Sequence, residues 1–80
     1  MTTSSSRSVR RLTDLRREEP AVVVRMKMDA GEQRRLDELG LHVGSAVRVL
    51  AGATGEGILI AVGDGRIGVN YDVARQIYVY

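Results

Sequence analysis

His42 is the first residue to consider for chemistry, because it is the only histidine and the chain contains no cysteine. Histidine serves as a general base, a metal ligand or a member of a Ser-His-Asp arrangement. Asp37 and Glu38 are the nearest acids before it. A metal site needs several ligands at workable spacing, and these three would make only a loose, exposed cluster. We therefore assign no metal site and interpret His42 as a surface residue.

The stretch GATGEG at 52–57 is the second candidate, because glycine-rich loops can bind phosphate. It lacks the Gly-Lys-Ser/Thr ending that grips a nucleotide, so a hairpin loop is the better interpretation. The residues also offer no nucleophile with a matching base. The sequence thus predicts no catalytic residue, no cofactor and no enzyme.

The composition predicts one small domain with an aliphatic core, since 80 residues include no Trp, no Phe and only three Tyr. No apolar run reaches the roughly 20 residues that span a bilayer. The N-terminal residues are polar and do not resemble a secretory signal. We expect a cytoplasmic protein without direct membrane insertion.

The charge is unevenly distributed. Residues 1–17 contain five arginines against Asp14 alone, whereas residues 18–80 contain seven Lys or Arg against nine acids. The net charges are therefore +4 and −2. Residues 1–11 are predicted to be a disordered basic tail, and 12–80 the folded domain. A basic arm that touches an acidic surface or lipid is the alternative for the tail.

Alternating apolar residues and glycine-rich turns predict a mainly β fold. We expect a small, strongly bent barrel of about five antiparallel strands with one or two short helices, and Asp-Gly in 63–65 indicates a type I′ hairpin. The predicted strands are 21–28, 46–50, 57–62, 66–71 and 76–80, and the predicted helical segments are 12–15, 29–40 and 72–75.

The alternation also predicts which side chains share a face. In the first strand the period of two groups Val22, Val24, Met26 and Met28, with the methionines as core filler. The later strands group Val47 with Val49, Ile58 and Ile60 with Val62, Ile67 and Val69 with Tyr71, and Ile77 with Val79.

The segment 29–40 has the signals of a complete helix. Asp29 with Glu32 forms a start like a capping box, and Gly40 can take the left-handed conformation that ends a helix. We expect Leu36, Leu39 and Leu41 to be buried, because so short a helix must pack against a sheet.

Four segments together are similar to the ferrous iron transport protein A (FeoA) family, whose domain also occurs at the C-terminus of iron- and manganese-dependent repressors. RRLDELGLHVGSAVRVL at 34–50 resembles the family's most characteristic helix, turn and strand. The other segments are LTDLRREEPAVVV at 12–24, ATGEGILIAVGDGRIGV at 53–69 and DVARQIYV at 72–79. The resemblance implies an SH3-like β-barrel. It also implies a cytoplasmic accessory role beside FeoB, the GTPase-coupled membrane transporter of ferrous iron.

Three functions follow as hypotheses. The first is an adaptor or regulator of ferrous iron uptake that acts by protein–protein contact with the cytoplasmic domain of FeoB. The second is a nucleic-acid-binding small barrel, which the acidic body and the lack of Phe and Trp disfavour. The third is a stand-alone sensor module related to metal-dependent repressors. A repressor would carry a helix-turn-helix before the barrel, which 11 polar residues do not supply. A weak homo-oligomer is left open.

The partner-binding surface is predicted at two connections that the core does not need. They are the turn His42-Val43-Gly44 and the loop Thr54-Gly55-Glu56. The alternative is that both are ordinary connections. With one histidine and scattered carboxylates, we also expect ferrous iron to bind weakly or not at all.

Overall fold

The computed structural model describes residues 8–53 and 57–80, and in them six strands form one sheet in the order β1-β6-β2-β3-β4-β5. All neighbouring strands are antiparallel. This confirms the predicted mainly β class with two short helices. In chain order the elements are β1 (Arg10–Arg11), a 3-10 helix (Leu12–Asp14), β2 (Pro20–Met26), α1 (Ala30–Glu38), β3 (Ala46–Ala53), β4 (Gly57–Val62), β5 (Gly65–Asn70), α2 (Tyr71–Ala74) and β6 (Ile77–Val79).

Strand β2 joins the two parts of the sheet. Its first residues, 20–22, pair with β3, while 23–26 pair with β6. Register shifts interrupt β2 after Val23 and β3 after Val49. Bulges of this kind bend a strand and increase its twist, which is what curves a six-stranded sheet around a core.

The core is aliphatic, as the composition predicts. Alternate residues of β3, β4 and β6 point inward as expected, with Val47, Val49, Ile58, Ile60, Ile77 and Val79 all buried. Met28, Leu12 and Leu15 are buried with them, and Met26, Val62, Ile67 and Tyr71 are partly buried at its margin.

The predicted inward face of the first strand is wrong for its valines. Ala21 and Val23 are buried, whereas Val22 and Val24 are exposed. The register runs from Val23 opposite Val79 directly to Arg25 opposite Tyr78, so Val24 is an extra residue in the strand. Because one extra residue moves every following side chain to the other face, Met26 and Met28 turn inward after it.

Helix α1 begins as predicted, because the Asp29 side chain accepts a hydrogen bond from the Glu32 N–H at 2.9 Å. It ends in a Schellman motif at Gly40, whose φ is +96°. The Leu41 N–H donates to the Leu36 carbonyl and the Gly40 N–H to the Asp37 carbonyl, both at 2.9 Å. This pairing is the one that defines the motif.

At the same helix end, one of the three leucines that were predicted to be buried is exposed. Leu36 and Leu41 are buried, but Leu39 is 47% exposed, so its predicted burial is wrong. The motif brings the residue after the glycine back against the helix. Leu41 therefore packs with Leu36, and Leu39 is left on the outside.

The turn between β4 and β5 and the start of α2 also differ from the prediction. In the β4–β5 hairpin the central residues are Gly63 and Asp64, and Gly63 alone of these has a positive φ, +59°. That pattern belongs to a type II′ turn, which needs glycine first, and not to type I′. Helix α2 begins at Tyr71, one residue before the predicted segment 72–75, and is capped by Asn70, whose side chain accepts from the Asp72 N–H at 2.8 Å.

Arg10 and Arg11, which the sequence analysis assigned to the tail, form β1 opposite Val79 and Tyr78. The remainder of the predicted tail up to residue 7 lies outside the described residues, as does the loop 54–56.

Candidate functional site

The turn from His42 to Ser45 is a closed β-turn between α1 and β3. The Ser45 N–H donates to the His42 carbonyl at 2.9 Å, and Gly44 has a φ of +99°. A positive φ at the third residue is the mark of a type II turn, which favours glycine there. The residue type of Gly44 is thus a requirement of this turn.

Backbone hydrogen bonds attach the turn to the barrel. The Gly44 N–H donates to the Val23 carbonyl at 2.7 Å, and the Val23 N–H donates to the Ser45 carbonyl at 2.9 Å. The turn therefore continues the β2–β3 pairing and is fixed relative to the sheet.

Ser45 supports the predicted turn, and the sequence reasoning missed it. Its hydroxyl donates to the Gly40 carbonyl and accepts from the His42 N–H, both at 3.0 Å. Ser45 is 8% exposed, and its hydroxyl supplies both backbone groups with a hydrogen-bond partner inside the protein. The Gly-x-x-x-Gly-Ser spacing after a helix was the sequence signal that could have pointed to Ser45. The hydrogen bonds that its hydroxyl makes, however, depend on how the loop folds.

The exposed side chains beside the turn are apolar. Val43 is 58% exposed and Leu39 is 47% exposed. The His42 Nδ1 lies 3.0 Å from the Val43 carbonyl oxygen, which holds the imidazole over the turn. His42 and Val43 also line a shallow groove along α1 together with Met26, Ala30, Gln33, Arg34 and Asp37.

The groove brings His42 and Asp37 to the same surface. Within residues 8–53 and 57–80, however, no three His, Asp or Glu side chains are placed to hold a metal ion together. Weak or absent iron binding stays a prediction.

The turn and the second predicted stretch lie at opposite ends of β3. The turn leads into Ala46, whereas Ala53 and Gly57, which pair across the β3–β4 hairpin, flank the loop. Thr54, Gly55 and Glu56 themselves lie outside the described residues. The described residues thus place the turn on a defined surface, but they do not show that the turn and the loop belong to one surface.

None of the helices in the described part of the chain is long and apolar enough to cross a bilayer.

The bent six-stranded antiparallel sheet with two short helices defines an SH3-like domain. The model of the FeoA domain matches residues 10–80. The chain therefore belongs to the FeoA domain family, a family associated with ferrous iron transport, and the resemblance found in the sequence is confirmed.

Solved structures agree with this assignment. Stenotrophomonas maltophilia FeoA, solved with zinc, is 32% identical, with 89% of each chain covered and a TM-score of 0.71, and is described as an SH3 domain protein and candidate ferrous iron transport activating factor. FeoA from Chlorobium tepidum is 26% identical, with 89% of this chain and 69% of that one covered, at a TM-score of 0.82. A manganese-dependent transcriptional repressor is 23% identical over 94% of this chain but 42% of its own, at a TM-score of 0.82, and shows the fold alone. No curated protein matches the chain significantly.

Proposed function

We propose that this protein is a cytoplasmic accessory protein of ferrous iron uptake that acts by contact with the cytoplasmic part of a FeoB-type membrane transporter. Membership of the FeoA domain family over residues 10–80 carries the proposal. The description of the Stenotrophomonas maltophilia relative as a candidate transport activating factor supports it.

The turn His42-Val43-Gly44 is the contact surface that the geometry supports best. Its backbone is bonded to β2 and to Ser45, so binding would cost little ordering entropy there. Val43 gives it an exposed apolar side chain next to a groove, and apolar anchors at the centre of an interface contribute most to affinity. The loop Thr54-Gly55-Glu56 is proposed as a second contact at the far end of β3.

The protein acts by binding and not by catalysis. His42 is held by the Val43 carbonyl, and the acid beside it in the groove, Asp37, belongs to the exposed side of α1. No nucleic acid and no cofactor enters the proposal, and iron passes through the transporter.

The test is binding of the purified full chain to the cytoplasmic domain of FeoB from the same cell. Val43→Glu places a charge at the exposed tip of the turn and should weaken binding by about tenfold or more, since a buried charge without a partner opposes association. Leu59→Glu is the matched control, because Leu59 is also an exposed aliphatic residue but lies on β4.

Thermal melts should show that both variants remain folded. Equal binding by Val43→Glu and the unchanged protein would contradict the turn as the contact surface. Absence of any binding to FeoB, together with unchanged ferrous uptake in cells that lack the protein, would overturn the function itself.

A further inference from the structure

Three strands place a row of side chains across the outer face of the sheet. Tyr78 of β6 is opposite Arg11 of β1 on one side and opposite Arg25 of β2 on the other. Directly opposed residues of antiparallel strands project from the same face. Tyr78 therefore lies between Arg11 and Arg25 in the sheet, on the side away from the core residues Ile77 and Val79.

Contacts to the ring bring the cations together. The Arg11 Nε–H donates to the Tyr78 hydroxyl at 3.4 Å, and the Arg11 Cζ is 5.8 Å from the ring centroid. The Lys27 Nζ is 5.5 Å from the same centroid. Both distances are within the range of cation–π attraction. We call Arg11, Arg25, Lys27 and Tyr78 the basic face.

The basic face exists because of the extra residue in β2. A strand with uninterrupted alternation would send Arg25 toward the core with Val23. The shift at Val24 instead brings Arg25 opposite Tyr78. Bulges commonly re-aim side chains at functional positions, and here the bulge also exposes Val24 beside the cations.

The cations of the basic face have no carboxylate partner among residues 8–53 and 57–80. The ion pairs found there are Arg10–Glu19, Arg35–Glu32, Arg48–Glu18 and Arg75–Asp72. The Asp14 Oδ2 accepts a hydrogen bond from the backbone N–H of Arg11 at 3.2 Å, so this carboxylate contacts the backbone and not the guanidinium. The hydrogen bond from Arg11, followed by the positive charges of Arg11, Lys27 and Arg25, lowers the pKa of the Tyr78 hydroxyl.

An apolar surface adjoins these charges. Val22 and Val24 are 41% and 40% exposed on the same strand as Arg25, and Lys27 follows directly after the end of that strand. A partner that fits both parts must combine negative charge with apolar side chains. A nucleic-acid binder that makes about 6–10 phosphate contacts uses more cations than the three of the basic face.

We propose that the basic face binds an acidic segment of a partner protein, whose carboxylates contact Arg11, Arg25 and Lys27 and whose apolar side chains pack on Val22 and Val24. This surface is separate from the turn at His42–Gly44. The proposal does not require that the partner be the iron transporter.

The experiment titrates the isotope-labelled full chain with a synthetic peptide, Glu-Ser-Leu-Glu-Glu-Leu-Ser-Glu, and follows the backbone amides by NMR. Shifts are expected to concentrate at residues 10–11, 22–27 and 77–80. The peptide with glutamine in place of each glutamate should bind at least about fivefold more weakly. Raising the salt concentration to about 0.3 M should also weaken the binding of the acidic peptide.

The decisive variant is Arg25→Gln with Lys27→Gln, which should reduce acidic-peptide affinity by about tenfold. Arg66→Gln with Arg75→Gln is the matched control, because it removes the same charge from β5 and from the end of α2. That control should change the affinity by less than about twofold.

Parallel titrations use single-stranded DNA and vesicles of phosphatidylcholine with phosphatidylglycerol. Tighter binding of either probe than of the peptide would overturn the proposal in favour of a nucleic acid or a membrane. No shifts with about 2 mM peptide would also overturn it, as would equal losses in the two double variants. A positive result with no FeoB binding would separate this proposal from the proposed function.

Discussion

The turn at His42–Ser45 and the basic face around Tyr78 both expose side chains for a partner, but they are built in different ways. In the turn, buried groups fix the backbone: the Ser45 hydroxyl bridges Gly40 and His42, and Leu41 is completely buried beneath it. On the basic face, partly or fully exposed side chains meet over one ring. The positions of its cations depend on strand register and not on burial.

This difference means that stability and binding can be separated experimentally. Substitutions of the buried residues that fix the turn should lower both the free energy of unfolding and the affinity of any partner that binds there. Substitutions on the basic face should change charge while the fold stays as stable as before, since exposed charges contribute little to stability.

The largest effect is expected for Leu41→Ala, which should lower the free energy of unfolding by about 2–5 kcal/mol, because it leaves a cavity in a fully buried site. Leu39→Ala, at an exposed residue of the same helix end, should cost less than about 1 kcal/mol. Urea denaturation of both variants measures the difference. Equal losses would show that Leu39 also packs against the barrel.

Ser45→Ala should cost about 1–3 kcal/mol, because it leaves the His42 N–H and the Gly40 carbonyl without their side-chain partner. Ser8→Ala, at an exposed serine before β1, is the control and should have no measurable effect. Faster hydrogen exchange at the His42 amide in Ser45→Ala would locate the loss in the turn. Unchanged exchange and stability would mean that the hydroxyl does not support it.

A smaller loss, about 1–2 kcal/mol, is expected for Gly44→Ala, because its φ of +99° is costly for any residue with a Cβ. Nothing lies within 4 Å of the added carbon, so the cost comes from the backbone alone. Gly68→Ala also has open space but no positive φ, and it should be neutral within about 0.5 kcal/mol. Similar thermal midpoints for the two variants would argue against the type II turn.

The smallest effect concerns the basic face, where no loss of stability is expected at neutral pH. The hydrogen bond from Arg11 is the main cause that lowers the pKa of the Tyr78 hydroxyl, and Lys27 and Arg25 add to it. A lowered pKa stabilises the fold above the ordinary tyrosine value near 10 and ceases to do so as the pH falls through the lowered value. Since tyrosine is protonated in both states near pH 7, the contribution vanishes there.

Arg11→Gln should therefore raise the pKa of Tyr78 toward its ordinary value, with an unchanged denaturation midpoint at pH 7. NMR titration of the Tyr78 ring carbon beside the hydroxyl measures the shift, and Arg66→Gln serves as a control that should leave it in place. If the pKa of Tyr78 were the same in Arg11→Gln as in the unchanged protein, the two side chains would not be in contact in solution.

Much of this fold could be read from residues close together in the chain. The cap at Asp29, the end of α1 at Gly40, the buried Leu36 and Leu41, and the inward faces of β3, β4 and β6 were all predicted correctly. Each depends on local backbone geometry or on a period of two within one strand. The turn at His42–Gly44 was located in the same way, through its glycine.

Only the tertiary structure decided where β2 changes phase, which leucine of the helix end is exposed, and what Ser45 and Tyr78 contact. The run AVVV at 21–24 is apolar at every position, so its alternation does not tell inside from outside. The choice is made by pairing with β3 up to Val22 and with β6 from Val23 onward, with Val24 as the extra residue. The basic face follows from that non-local pairing, because it is cross-strand register, and not spacing along the chain, that brings Arg11 and Arg25 to Tyr78.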